Sequence, residues 1–215
     1  RQMCIRDSDY CEGTAWQWTW FVPHDIDGLV ELMGGREGFI SKLDSLFTAD
    51  SSLEGSLVSA DISGLIGQYA HGNEPSHHII HLYNYVEQPW KAQALVDSVL
   101  RTQYFNDPNG LSGNEDCGQM SAWYIMNSMG FYQPCPGRIE YSIGRPLFNT
   151  VTIKLPAGKM FRIVAKNNAL ENKYIESATL NGQPLDRPFF THDQLMEGGT
   201  LELMMTDKPT RWGTK

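Results

Sequence analysis

The chain has 215 residues, of which 41% are hydrophobic and 11% aromatic, which is enough apolar side chain for one large globular domain or two small ones. Its formal charge of -8 and its pI near 5.2 argue against nucleic acid or an anionic membrane as the main partner, because both select a concentrated basic surface. No apolar run approaches the roughly 20 residues that span a bilayer, so we expect no membrane span in this sequence.

The first eight residues, RQMCIRDS, show neither hydrophobic periodicity nor a helix-capping pattern, and no signal peptide opens the sequence. We therefore expect residues 1–8 to be a non-native leader before a chain that begins within a domain. The four cysteines form no CxxC pair and have no zinc-ligand spacing. The pattern favours buried free thiols over a disulfide at Cys4, Cys11, Cys117 and Cys135.

The segment CEGTAWQWTWFVPHD, residues 11–25, places Glu12 beside a run of aromatic residues that includes Trp16. Partial desolvation raises the pKa of a carboxyl, and aromatic faces stack on the C–H surfaces of sugars, so the pattern favours a general acid in a sugar site. A tryptophan cluster at the edge of the core, beside a solvated glutamate, fits the pattern equally well. His24 and Asp25 are interpreted as a pair in which a neighbour orients the histidine.

Helical periodicity extends from about residue 25 to residue 130. Apolar positions recur with a period of about 3.6 residues, as in residues 39–47. Prolines in a first turn predict helix starts at Pro75 and Pro89, and Gly130 predicts a helix end.

The segment HGNEPSHH, residues 71–78, combines histidines, an acid and a proline at one predicted helix start. There Asn73 and Glu74 would lie at the cap, and His77 and His81 would share a face. An HxxxH pair can bind zinc, although a metalloprotease would carry HExxH. Two other interpretations stay open, namely structural histidines that bond neighbouring loops, and recognition of hydroxyl groups by the polar side chains of the segment.

The segment GLSGNEDCGQMSAWY, residues 110–124, frames Asn114, Glu115 and Asp116 with three glycines. The glycines allow a tight backbone, and the following helix offers unpaired N–H groups. Helix capping is the ordinary reason for acids at this position. Catalysis or ligand binding is the second interpretation, because one cap does not need three polar residues.

From residue 137 onward short alternating runs replace the helical period. Turn signals separate the runs, and Asn181–Gly182 predicts a two-residue hairpin. We therefore predict an α+β fold in which residues 9–136 are helical and residues 137–215 form an antiparallel, strand-rich region. The predicted strands are IEYSI, VTIKL, MFRIVA, YIESATL and TLELMM.

The three polar loops together supply separate carboxylates, an aromatic surface and neutral hydrogen-bonding groups, which is the chemistry that a polyol ligand requires. Cleavage of a glycosidic bond needs two opposed carboxylates. One protonates the leaving oxygen, and the other attacks the sugar or activates a water molecule.

A set of segments in this order resembles the C-terminal catalytic part of the exo-acting α-mannosidases of glycoside hydrolase family 92, over about residues 9–213. The resemblance implies an N-terminal β-sandwich domain, an (α/α) toroid and a strand-rich C-terminal portion, of which this chain holds part of the toroid and the strands. The segments are CEGTAWQWTWFVPHD, GLVELMGG, DISGLIGQYAHGNEPSHHIIHLYNY, QPWKAQ, GLSGNEDCGQMSAWY, GFYQPCPG and YSIGRPLF.

The resemblance also implies hydrolysis with inversion of configuration. Glu12 would be the general acid, Asp116 the general base that takes a proton from the attacking water, and Glu115 an assisting carboxylate. Asn114 stands where some relatives carry another carboxylate. The acid and base of an inverting enzyme are expected about 6.5 to 9.5 Å apart. Residues implied to contact the substrate are Trp16, His24, Asp25, Asn73, Glu74, His77, His78 and Asn114.

By the same resemblance the cofactor would be calcium, which touches the 2- and 3-hydroxyls of the sugar, and Asn73 and Glu74 are the nearest oxygen ligands. The substrates implied are mannose-containing glycans, with an α-1,2 linkage suggested by the HGNEPSHH form of the motif. The implied partner is the β-sandwich domain of the same polypeptide. The implied location is the periplasm, the cell surface or the exterior of a bacterium.

Two alternatives come from other classes of protein. A non-catalytic carbohydrate-binding module would use the same aromatic and polar groups without turnover. A zinc-dependent hydrolase would use His77 and His81 as metal ligands.

Overall fold

A computed structural model describes residues 10–53 and 59–214. The predicted leader and Cys4 lie outside the described residues. The described residues divide into two compact units, one formed by residues 10–53, 59–79 and 101–122 and the other by residues 80–100 and 123–214. The described elements mix helices with antiparallel and parallel strands, which confirms the α+β class.

The first unit begins with three helices, α1 (Ala15–Trp18), α2 (Ile26–Leu32) and α3 (Arg36–Thr48). Helix α1 begins with a capping box at Thr14, and helix α2 is capped by the Asp25 carboxylate, which accepts the N–H of Gly28. The predicted apolar face of α3 is buried at Phe39, Leu43 and Leu46. These helices precede a short antiparallel pair, β1 (Leu65–Ile66) and β2 (Tyr69–Ala70).

The helix predicted to begin at Pro75 does not form. Two 3₁₀ turns, Glu74–Ser76 and Ile79–His81, are followed by the short helix α4 (Leu82–Tyr85). Every residue from position 75 to position 84 is buried, so no solvent-facing side exists for an amphipathic helix. Side chains in this segment also bond distant backbone carbonyls, and these tertiary bonds outweigh the local helix signal.

The predictions for the next two helices are confirmed. Helix α5 (Pro89–Thr102) begins at the predicted proline. Helix α6 (Gln119–Met129) ends before Gly130, which has a φ of 105° that a side chain would rarely adopt. None of the helices in the described part of the chain combines the length and apolar character that crossing a bilayer requires.

The predicted strands form in the second unit. A five-stranded sheet has the order β5-β6-β10-β7-β8, and a three-stranded sheet has the order β3-β4-β9. The predicted hairpin is confirmed, because Asn181 and Gly182 take φ values of 52° and 79° between β7 and β8. The elements are β3 (Phe131–Tyr132), β4 (Glu140–Ile143), β5 (Thr150–Lys154), β6 (Met160–Lys166), β7 (Tyr174–Leu180), β8 (Gln183–Pro184), β9 (Phe189–Thr191), α7 (His192–Glu197) and β10 (Gly199–Thr206).

One pair of strands departs from the antiparallel prediction. Strand β10 lies between β6 and β7, antiparallel to β7 and parallel to β6. Because β6 and β7 run in opposite directions, a strand inserted between them must be parallel to one of them. The alternation of apolar residues within each strand predicts the strand but not its direction.

The core of the second unit also depends on helix α5. Gln93, which is 1% exposed, accepts the backbone N–H of Ile175 in β7 at 3.0 Å. Arg145, which is 2% exposed, lies with its Nε 3.2 Å from Asp97 Oδ1. The predicted division at residue 137 therefore differs from the compact units, since residues 80–100 belong with the strands.

The cysteines only partly follow the prediction of buried thiols. Cys11, Cys117 and Cys135 are all free, but only Cys135 is buried. The two exposed thiols, Cys11 and Cys117, directly neighbour Glu12 and Asp116 in loops at the surface.

Candidate active site

Strained backbone marks two of the predicted acidic positions in the first unit. Glu12 has a φ of 51°, and Asp116 and Cys117 have φ values of 50° and 55°. The left-handed region costs a non-glycine residue free energy and is enriched at functional sites. The two residues implied to carry the chemistry thus have the backbone irregularity that active sites show.

The carboxyl groups of Glu74 and Asp116 lie close to each other. Burial raises the pKa of Glu74, and the negative charges of Asp116 and Glu12 raise this pKa further. Three acids from separate loops therefore lie within electrostatic range of one another. We expected partial desolvation at Glu12, but Glu12 is exposed and the half-buried carboxyl is Glu74.

The other residues of the GNED loop have structural partners. Glu115 accepts both the backbone N–H and the hydroxyl of Ser121 in helix α6, at 3.1 and 2.9 Å. Asn114 donates its side-chain N–H to Asp61 Oδ1 at 3.2 Å. Glu115 therefore fits the helix-capping interpretation. Asp116 lies close to Glu74 and fits the interpretation as a catalytic or ligand-binding residue.

The aromatic run beside Glu12 forms less of an open platform than its composition suggests. Trp20 is fully buried and packs edge-on against Phe39. The Lys42 ammonium lies 4.0 Å from the centroid of the Trp16 ring and so occupies one face of this indole. The exposed aromatic surface is instead provided by Phe21, which is 46% exposed and packs edge-on against Trp18.

Two of the three histidines implied to contact the substrate, His77 and His78, are buried and bonded within the protein. His77 Nε2 donates to the carbonyl of His71 at 3.0 Å, so Nδ1 accepts from Gln119 Nε2 at 3.0 Å. His78 Nε2 donates to the carbonyl of Trp20 at 2.6 Å. This geometry favours the structural interpretation of these histidines.

The zinc interpretation is wrong for the pair on which it rests. The nitrogens of His77 are both occupied by the bonds just described, and His81 bonds Ser142 Oγ and Asn127 Oδ1 at 3.0 Å each. Within residues 10–53 and 59–214, no group of three or more histidine, cysteine or acidic side chains could hold a metal ion. The helix that would have aligned the two histidines is also replaced by 3₁₀ turns.

The two calcium ligands implied by the resemblance, Asn73 and Glu74, have different surroundings in this structure. Asn73 Oδ1 accepts the backbone N–H of Glu74 at 3.1 Å, and Asn73 Nδ2 donates to the carbonyl of Glu12 at 2.5 Å. Calcium binds oxygen ligands, and the amide oxygen of Asn73 is already an acceptor within the loop. Of the two implied ligands only Glu74 has a carboxylate, and this carboxylate lies near those of Asp116 and Glu12.

His24 and Asp25 are both exposed, and the Asp25 carboxylate is the N-cap of helix α2.

Two residues that support the site carried no recognisable signal in the sequence. Gln119 and Asp61 are single polar residues at ordinary spacing, and their partners, His77 and Asn114, lie 42 and 53 positions away. Only the fold pairs them.

The buried histidines predict a pH-dependent stability of this chain. Burial lowers the pKa of His78 from 6.5 to about 4, so the unfolded chain binds a proton more tightly than the folded chain. The contribution of His78 to the free energy of unfolding is therefore complete above about pH 6.5 and is lost as the pH falls toward 4. Between pH 7 and pH 5 this residue alone should reduce the free energy of unfolding by about 2 kcal/mol.

Urea unfolding of the wild type and of His78→Gln at the two pH values tests this expectation. Glutamine can keep the bond to the Trp20 carbonyl but carries no titrating group, so the variant should lose less stability on acidification. An equal loss in the two proteins would contradict the assignment.

Comparison with known proteins identifies a glycosidase catalytic domain. The sequence profile described as "Glycosyl hydrolase family 92 catalytic domain" matches residues 2–207, and the chain belongs to glycoside hydrolase family 92. This match confirms the family resemblance drawn from the segments.

Relatives include a protein of Arthroderma benhamiae named "Uncharacterized secreted glycosidase", 34% identical over 94% of this chain and 24% of the relative. A family 92 α-mannosidase from Bacteroides thetaiotaomicron, solved with mannoimidazole, is 40% identical with a TM-score of 0.86, over 93% of this chain and 26% of its own. A family 92 inverting mannosidase from the same species is 44% identical with a TM-score of 0.83, over 96% and 29%. The chain thus spans about a quarter of the length of these proteins.

Proposed function

We propose that this chain is part of an exo-acting α-mannosidase that removes terminal mannose from glycans with inversion of configuration. The observation that carries the proposal is the convergence of Glu12, Glu74 and Asp116 from three loops of one compact unit. Family membership and two mannosidases among the solved relatives support the sugar and the reaction.

In this proposal Glu12 donates a proton to the departing glycosidic oxygen. Asp116 accepts a proton from the water that attacks the opposite face of the sugar. In this proposal Glu74, which lies within electrostatic range of Asp116, helps to position the Asp116 carboxyl. Glu12 is exposed, which suits a group that must reach a leaving sugar in solvent.

Finer properties of the parent enzyme belong to the same proposal. We propose that the helices are part of an (α/α) toroid, that a β-sandwich domain of the same polypeptide completes the site, and that α-1,2 linkages are the preferred substrates. Export from the cell is supported by the name of the fungal relative, and a bacterial source by the two Bacteroides structures. Calcium dependence rests on the family resemblance, and we assign it no ligand.

The reaction can be tested with the full-length polypeptide and α-1,2-mannobiose, following the products by proton NMR. Inversion predicts that β-mannose appears first and then mutarotates. Calcium dependence predicts that a chelator abolishes turnover until calcium is restored. β-linked mannobiose is the matched control and should not be cleaved. Initial release of α-mannose would overturn inversion, and failure to release mannose from any α-linked substrate with calcium present would overturn the function.

A further inference from the structure

Asn73 links two acidic loops that are distant in sequence. It is 9% exposed, and both polar atoms of its amide group are hydrogen-bonded: Nδ2 donates to the carbonyl of Glu12 at 2.5 Å, and Oδ1 accepts the N–H of Glu74 at 3.1 Å. The first of these bonds crosses 61 positions of sequence. One buried side chain therefore holds the backbone of Glu12 and the backbone of Glu74 at the same time.

A second bond holds the residue before Glu12. Trp18 Nε1 donates to the carbonyl of Cys11 at 3.0 Å. The indole reaches this carbonyl because position 13 is glycine: a Cβ on Gly13 would lie 2.7 Å from Trp18 Nε1. The two carbonyls that precede and follow the Glu12 Cα are thus each bonded by a side chain.

These two bonds explain how a glutamate persists at a φ of 51° in an exposed loop. A left-handed conformation of a non-glycine residue is kept only when the surrounding structure over-determines it. The short segment after Gly13 gives little such support, because helix α1 has only four residues. The bonds from Asn73 and Trp18 are the described contacts that supply it.

We propose that Asn73 is a positioning residue for Glu12, assisted by Trp18, and not a ligand of a metal or of the sugar. The proposal rests on the proposed function for the role of Glu12 as general acid. A hydrogen bond to the Glu12 carbonyl fixes the direction in which the Glu12 side chain leaves the backbone. Its loss displaces the proton donor relative to the glycosidic oxygen without removing the acid, and a displacement of about 1 Å can cost about 100-fold in rate.

The leaving group distinguishes a displaced acid from a damaged fold. A poor leaving group such as the sugar of α-1,2-mannobiose needs protonation, whereas 2,4-dinitrophenolate departs without it. In the full-length polypeptide, Asn73→Ala should lower kcat on mannobiose by about 100-fold and kcat on 2,4-dinitrophenyl α-mannoside by less than about 3-fold. KM should change little, because in this proposal Asn73 acts through Glu12 and not on the substrate.

Three further variants separate positioning from helix capping. Asn73→Asp keeps the oxygen that accepts the Glu74 N–H and loses the donor to Glu12, so it should show the same dependence on leaving group. Trp18→Phe keeps the ring and loses the N–H, and should show a smaller effect in the same direction. Asn168→Ala is the matched control, because it removes an amide bond to the Leu147 carbonyl within the strand-rich unit and should leave both rates unchanged.

A readout that does not need activity keeps the two proposals apart. Hydrogen exchange in peptides that contain Glu12 should be faster in Asn73→Ala than in the wild type, and unchanged in Asn168→Ala. An inactive wild type with this exchange difference would overturn the proposed function and leave the positioning of Glu12 intact. Equal losses on both substrates, a loss in KM alone, or exchange identical to the wild type would overturn the positioning role.

Discussion

Replacing Glu12 by glutamine in the full-length polypeptide should lower kcat on α-1,2-mannobiose by about 10²- to 10⁴-fold, which is the usual contribution of a general acid. Glutamine has nearly the same shape but no proton of suitable acidity, so the glycosidic oxygen must leave as an alkoxide. The loss should shrink to less than about 10-fold for 2,4-dinitrophenyl α-mannoside, because this leaving group needs no protonation. Steady-state kinetics on the two substrates measure both values.

The same variant also separates an enzyme from a carbohydrate-binding module. A module would release no mannose as the wild type and would keep its affinity for mannosides after the substitution. An enzyme should keep affinity, measured by calorimetry with mannobiose, and lose turnover. Equal kcat for the variant and the wild type on mannobiose would contradict the role of Glu12 as general acid. The next candidate for this role would be Glu74, the carboxyl whose pKa is raised by burial.

Asp116→Asn should be at least as damaging, and its effect should not depend on the leaving group. The attacking water must lose a proton whichever group departs, so kcat is expected to fall by about 10²- to 10⁴-fold on mannobiose and on the dinitrophenyl substrate alike. The substitution also removes one of the two negative charges that raise the pKa of Glu74. Parallel kinetics on the two substrates provide the measurement.

Glu115→Gln is the matched control for Asp116→Asn, since it changes the adjacent acid of the same loop. Its carboxylate bonds Ser121 at the start of helix α6, so the expected result is a loss of about 0.5 to 2 kcal/mol in stability with kcat within about 3-fold of the wild type. The roles are reversed if Glu115→Gln abolishes turnover and Asp116→Asn does not.

Much of the fold was predictable because local signals agree with the tertiary structure. Pro89 and Gly130 mark the ends of helices, and Asn181–Gly182 marks a hairpin, because each position needs a backbone that few residues supply. The helix predicted at Pro75 failed for the opposite reason. Its residues are buried on all sides and make tertiary bonds that no period in the sequence records.

The candidate site was predictable by type of residue more than by role. Unusual chemistry in the three loops identified the acidic positions, and the structure brings Glu12, Glu74 and Asp116 within electrostatic range. Their supports could not be predicted, because a buried asparagine or glutamine is recognisable only when its partner is known. Asn73 illustrates this limit, since its bond to the Glu12 carbonyl crosses 61 positions.

The interleaving of the two compact units has a consequence for how such genes can be rearranged. The strands receive a buried amide from Gln93 and an ionic partner for Arg145 from Asp97, both on helix α5, which precedes the strands by several dozen codons. A recombination event that joined two genes near codon 137 would leave these partners behind, so that the interior would hold an unpaired N–H and a guanidinium without its ionic partner. Exchange between relatives therefore preserves this half only when the crossover falls upstream of codon 80.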